Sequence, residues 1–181
     1  MAEAHAFSSV KLVCGIISSR ETYFRSAEEH LVRIYGPLDH KSQSFDFNLT
    51  DYYEKKMGKN LKREFLSFGR LISPDQLSEI KIRTNALEEE IQKEFQEKLR
   101  AVNLDPGYLT RAVLVMATAK DFAHRIPLQK GIYAHLEFLF TKTGIRILEW
   151  TYPDYKQEAC QKFFLDIRKM YLFQLKRPIQ E

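Results

Sequence analysis

An α+β fold is expected, and three observations predict it. Residues 10–17 form an apolar run of strand length, with no polar alternation. Two stretches, 18–35 and 73–95, carry apolar residues at helical spacing behind capping signals. Beyond residue 111, short apolar and alternating runs are separated by glycine-containing turns. At 181 residues the chain fits a single domain over 1–181, which removes about 70% of its unfolded surface from water without metals or disulfides.

Taken in order, residues 10–17 read as a central strand. Ser18 with Glu21 reads as a capping box, and Phe24, Ala27, Leu31 and Ile34 carry a helix to Gly36-Pro37. Residues 44–49 read as a short strand, and Asp51 with Glu54 as the cap of a short helix ended by Gly58. Residues 61–71 read as a strand. Ser73, Pro74 and Gln76 open a long helix with Leu77, Ile80, Thr84, Leu87, Ile91 and Phe95 inward and Glu88-Glu89-Glu90 mostly on the solvated side. Strands are expected at 111–118, 123–128, 132–141 and 145–150, and a last helix over 156–176. The order matches a ferredoxin-like split βαβ plan extended by further antiparallel strands, with helices packed on one face of the sheet.

In the strand at 132–140, alternation places Ile132, Ala134, Leu136, Phe138 and Phe140 on one face. Tyr133, His135 and Glu137 share the other face with Leu139. That face is either solvated or lines a cleft with Glu137 and Tyr133 as its polar fixtures.

Composition narrows the function classes. The apolar fraction is 44% and the charged fraction 29%, ordinary for a globular protein, and thirteen Phe, nine Tyr and one Trp predict an aromatic core. The net charge is +4, but 28 basic residues are interleaved with 24 acidic ones, so a nucleic-acid partner is not expected. Cys14 and Cys160 make neither a zinc site nor a disulfide framework. The N-terminal residues lack a signal-peptide pattern and no apolar run has membrane-span length, so a cytoplasmic protein without a membrane partner is expected. No feature sets the oligomeric state.

Several chemistries have no residues to run on. There is no Walker-type phosphate loop, dinucleotide fingerprint, Gly-x-Ser-x-Gly elbow or His-Glu-x-x-His helix. The paired His-x-Thr/Ser motifs of some ferredoxin-like phosphoesterases are also missing, since His124 is followed by Arg125-Ile126 and His135 by Leu136-Glu137. No metal and no cofactor are therefore assigned.

Four segments are denser in polar groups than connectors require: residues 50–54, 103–109, 120–125 and 151–155. Asn103-Leu104-Asp105-Pro106-Gly107-Tyr108, Lys120-Asp121 with His124-Arg125, and Thr151-Tyr152-Pro153-Asp154-Tyr155 occur in that order. At these motifs the chain resembles a bacterial family of unknown function, DUF4416, nearly end to end. It departs from that family at Pro127, where a Tyr is common, which removes a strand donor and a hydroxyl. The resemblance implies no activity. The GTP-binding label sometimes given to such proteins lacks its phosphate loop here.

Each segment also has a structural reading. Asp105-Pro106-Gly107 is a turn signal, Tyr152-Pro153-Asp154 can cap the last helix, and residues 50–54 fit a capping box. Lys120, Asp121, His124 and Arg125 are harder to reduce to a turn. They make the first ligand-binding candidates, with Tyr133 and Glu137. Arg offers a fork for phosphate or carboxylate, and His an acid near neutral pH. Asp105, Tyr108, Tyr152 and Asp154 form a second candidate cluster. A simple meander after residue 111 would place the two clusters at opposite ends of the sheet, as two sites, whereas a kink or a crossing strand would bring them together as one.

The leading expectation is a binding module or small enzyme for an anionic, phosphorylated or carboxylated, metabolite. The alternative is a non-catalytic protein- or RNA-interaction protein using the tyrosines at 52, 53, 108, 152 and 155. A divalent metal on Asp105, Asp121 and Asp154, with Glu54, is disfavoured by the same meander.

Overall fold

The computed structural model describes residues 2–48 and 53–176. Strand β1 (Val10–Ser18) is buried along its whole length, as a run apolar on both faces requires. Helix α1 (Glu21–Tyr35) follows, then β2 (Leu38–Lys41), β3 (Phe45–Asp46), the short α2 (Glu54–Met57) and β4 (Lys62–Ile72). Helix α3 (Leu77–Glu94) is preceded by a single 3-10 turn, where Ser73 and Gln76 form the expected capping box. Then come β5 (Val102–Leu109), β6 (Val113–Thr118), β7 (Ile126–Pro127), β8 (Tyr133–Phe140), β9 (Ile145–Ile147) and α4 (Glu158–Gln174).

Among the described residues nine strands pair, all antiparallel, in the order β2-β4-β1-β5-β6-β8-β7, with β3 on β4 and β9 on β8. Strand β4 thus sits between β1 and β2, and β5 flanks β1 on its other side. This is the split βαβ plan, and β6 to β9 extend it. On one face, Leu12, Cys14 and Ile16 of β1 pack with Phe24, Leu31, Ile80, Leu87 and Ile91 of α1 and α3. On the other, Val13, Phe65, Leu114 and Phe138 pack with Phe163, Phe164 and Ile167 of α4. Helices therefore cover both faces, not one. Each fully buried Phe of this second core contributes about 1.5–3 kcal/mol.

Two local expectations fail for identifiable reasons, and a third falls outside the described residues. Ser18 does not cap α1, because its hydroxyl donates to the carbonyl of Ala101 (2.8 Å) in the adjoining chain. Asp51, the expected cap of α2, lies outside the described residues, as do Leu49, Thr50 and Tyr52. The largest miss is β5, where Asp105-Pro106-Gly107 lies mid-strand instead of turning. Strand β6 pairs β5 only from Gly107 to Leu109, and toward Val102 the two strands part. The exposed rung of β5 is completed by α3: Glu88 accepts from the Leu104 N–H (2.6 Å) and Lys81 donates to the Leu104 carbonyl (2.7 Å). Glu88 is accordingly buried, not solvated. Leu104 turns its polar groups away from β1, and by strand alternation so does Pro106. Its missing N–H therefore breaks no rung to β1.

Strand β8 also departs from simple alternation. Val115 pairs Leu136 but Leu114 pairs Phe138, so Glu137 is an extra residue in a β-bulge. Ile132 and Ala134 consequently pack with Leu77, while Phe138 and Phe140 pack on the α4 side.

Candidate functional site

The opening between β5 and β6 and the bulge in β8 both turn polar side chains toward the α4 face. Arg63 of β4 is buried there. Its guanidinium donates to Asp105 of β5 (2.6 Å) and to Asp154, which stands on a 3-10 turn before α4. Gly15 of β1 sits opposite, where a Cβ would approach the Phe65 ring to 3.1 Å. The Arg63 guanidinium also lies 5.1 Å from the Phe47 ring centre and 5.3 Å from those of Phe65 and Tyr155. Burial pushes the Asp105 carboxyl up, but Arg63 and Lys81 outweigh it and hold the group below its ordinary range. Burial likewise opposes the Arg63 charge, and Asp154 with Asp105 overcomes it.

The second half of the site is built on the bulge. Glu137 is 0% exposed. Its Oε1 accepts from the Tyr152 N–H (2.7 Å), and its Oε2 lies 3.0 Å from His135 Nε2, close enough for an ion pair but not aligned for a hydrogen bond. His135 Nδ1 accepts from Arg125 Nε (3.3 Å) and lies 3.1 Å from His124 Nε2. The other Arg125 nitrogens donate to the Lys120 carbonyl and the Tyr152 hydroxyl, each at 2.7 Å. His124 stacks on Trp150 (4.8 Å, 8°) and His135 on Tyr152 (4.9 Å, 17°). Trp150 is fixed in turn by donating its indole N–H to the Leu136 carbonyl (2.7 Å), and the Thr151 hydroxyl donates to the Glu137 carbonyl (2.5 Å). Burial drives the Glu137 carboxyl above its ordinary range, with His135 pulling back. Burial, His135 and Arg125 all lower His124.

Of the first candidate group, His124, Arg125 and Glu137 come together through His135. Lys120 supplies its carbonyl to Arg125, and its ammonium lies 5.9 Å from the Tyr53 ring centre. Asp121 is exposed with no side-chain partner among the described residues, and half-buried Tyr133 makes no side-chain hydrogen bond among them. Of the second group, Tyr152 and Asp154 join the site and Asp105 reaches it through Arg63. Tyr108 does not, since it packs with Leu77 and Val115 on the opposite face. Of the two arrangements the sequence left open, the structure therefore has the joined one. Tyr152 bonds both Arg125 and Glu137, and two residues later Asp154 bonds Arg63, so one polar track joins both clusters. A simple meander does not describe this region, because Asp105-Pro106-Gly107 lies within β5 and Glu137 bulges β8. A solvated outer face of β8 is likewise excluded by the burial of His135 and Glu137.

Sequence reasoning missed Arg63, His135, Trp150, Lys81 and Glu88 as site residues. Arg63 had a signal, sharing a strand face with Phe65 at i+2. Among the described residues no three His, Cys, Asp or Glu side chains are grouped to hold a metal ion, so Asp105, Asp121 and Asp154 do not form one.

A family described as Domain of unknown function (DUF4416) matches residues 8–171. The chain belongs to this family. The match covers every element that builds the site, from β1 through Tyr171 of α4. No curated protein and no solved structure matches the chain.

Proposed function

We propose that this DUF4416 protein binds an anionic metabolite, phosphorylated or carboxylated, beside Arg125 and His124. One observation carries the reading. Half-buried Arg125 donates to a carbonyl, an imidazole and a phenol, and no carboxylate among the described residues lies within ion-pair distance of it. The buried cations on this face among the described residues, Arg63 and Lys11, each have a carboxylate partner. A guanidinium held by neutral groups keeps its charge for a ligand, and its fork suits phosphate or carboxylate. His124 and the Tyr152 hydroxyl stand beside it as polar fixtures. The rival reading, a tyrosine-built interface, is less well supported, because Tyr155 is buried and Tyr53 and Tyr108 are partly so. The sequence-based expectation of a bacterial, cytoplasmic protein belongs to the same proposal, and cell fractionation tests it.

Thermal-shift screening of phosphorylated and carboxylated metabolites against wild type, Arg125→Ala and Arg125→Lys tests the reading. Stabilisation should be lost in Arg125→Ala and partly kept in Arg125→Lys. Compounds that stabilise all three equally would remove Arg125 from the site. A stoichiometric protein partner surviving nuclease treatment, with no metabolite effect, would favour the interface reading.

A further inference from the structure

The row Glu137, His135, His124 runs from a carboxylate with no exposure to an imidazole at the surface, and its hydrogen positions follow from one donor. Arg125 Nε always carries a hydrogen and points it at His135 Nδ1 (3.3 Å), so that nitrogen is an acceptor. Neutral His135 then carries its own hydrogen on Nε2, the atom 3.0 Å from Glu137 Oε2. His124 Nε2, 3.1 Å from the same nitrogen, avoids lone-pair repulsion by presenting a hydrogen too, so that the two donors share one lone pair in a bifurcated contact. The lone pair of neutral His124 is therefore on Nδ1, which has no hydrogen-bond partner among the described residues. Stacking on Trp150 fixes the plane of the ring. A base oriented by a second side chain, itself backed by a buried carboxylate, is the arrangement general acid–base catalysis requires.

We propose that His124 is the acid–base group of this site and that His135 and Glu137 are its positioning residues, so that a bound anion exchanges a proton as well as being held. This rests on the anion-binding reading above. In the step, the bond from hydrogen to oxygen or carbon in the ligand breaks and an N–H bond forms at His124 Nδ1. The electron pair stays on the ligand, against Arg125. The imidazolium that forms keeps its Nε2–H on His135, and the Glu137 carboxylate balances its charge through that ring. Burial, His135 and Arg125 lower His124 and so favour its neutral ring, the form that accepts a proton.

Nitrogen-15 and proton NMR of the histidine rings in the full chain provides the test, with inorganic phosphate and sulfate as probes. At pH 7 His124 should show a solvent-protected Nε2–H and an unprotonated Nδ1, and His135→Phe should abolish that protection. Inorganic phosphate, which has a proton to give, should convert His124 to imidazolium on binding, and in Glu137→Gln the ring should stay neutral. An Nδ1–H form of His124, or a ring N–H indifferent to His135→Phe, would overturn the proposal. If phosphate and sulfate both bind while His124 stays neutral in wild type, the relay fails and the anion site stands. If neither binds although the hydrogen positions are as stated, the anion reading fails instead, and the proton exchange with a ligand that rests on it falls too.

Discussion

The two halves of the polar track treat buried charge in opposite ways. Around Arg63 the charges match: one guanidinium, two carboxylates, and Lys81 within 3.8 Å of Asp105. Around Glu137 they do not. A buried carboxylate faces a misaligned imidazole, and the nearby guanidinium is held by neutral groups. The first half spends its polarity on holding β4, β5 and the approach to α4 together. The second keeps polarity unspent at the surface end of the same track. Depth of burial does not distinguish them, since Arg63 and Glu137 are both buried. The distinction is whether each group's partners are already in place.

The strongest way to break the comparison is at Arg63. Arg63→Met strands Asp105 and Asp154 without their cation, and loss of one partner of a buried pair costs about 3–5 kcal/mol. Urea denaturation should show it. A cost under 1 kcal/mol would mean that the Arg63 half is not the structural half.

The next effect is at the vertex where β5 and β6 part. A Cβ on Gly107 would fall on Met116 Sδ and 2.5 Å from the Val115 carbonyl oxygen. Gly107→Ala should cost about 1–3 kcal/mol as overpacking, read from the midpoint of the same denaturation curve.

The two carboxylates should also give opposite pH slopes. Glu137 lies above its ordinary 4.5, so the folded state keeps the proton to higher pH than the unfolded chain. Its stabilising contribution relative to Glu137→Gln is full below pH 4.5 and is lost as pH rises through the raised value. Asp105 lies below 3.8, so its contribution relative to Asp105→Asn is present above pH 3.8 and is lost as pH falls through the lowered value. Urea melts of the three proteins from acid to neutral pH check both signs, and slopes of the same sign would refute the contrast.

The smallest effect is expected at His124. His124→Ala removes a half-exposed ring and its stack on Trp150, worth under about 1 kcal/mol. A loss as large as that of Arg63→Met would make His124 structural.

These contrasts bear on what a sequence displays. The split βαβ plan was legible, because the apolar run at β1 and the capped stripe of α3 are local patterns that tertiary contacts reinforce. Strand β5 was not, because Asp-Pro-Gly has the chemistry of a turn and becomes strand only when Lys81 and Glu88 complete Leu104. The bulge at Glu137 was hidden for a similar reason: a one-residue register slip leaves no mark in the alternation of a single strand. The cation cluster at residues 120–125 was recognisable as unusual. That it meets Tyr152 follows from those two unreadable features, so the sequence leaves one site or two undecided.

The outer edge of β8 has a consequence of another kind. β7 and β9 pair only its two ends, and among the described residues no strand pairs this edge between them. There the Trp150 indole and the Thr151 hydroxyl take the carbonyls of Leu136 and Glu137, so those positions are occupied before a second chain arrives. The side chains that complete the site therefore also act as a stopper against edge-to-edge aggregation. Remodelling Trp150 for a new ligand would expose a sticky strand along with the pocket.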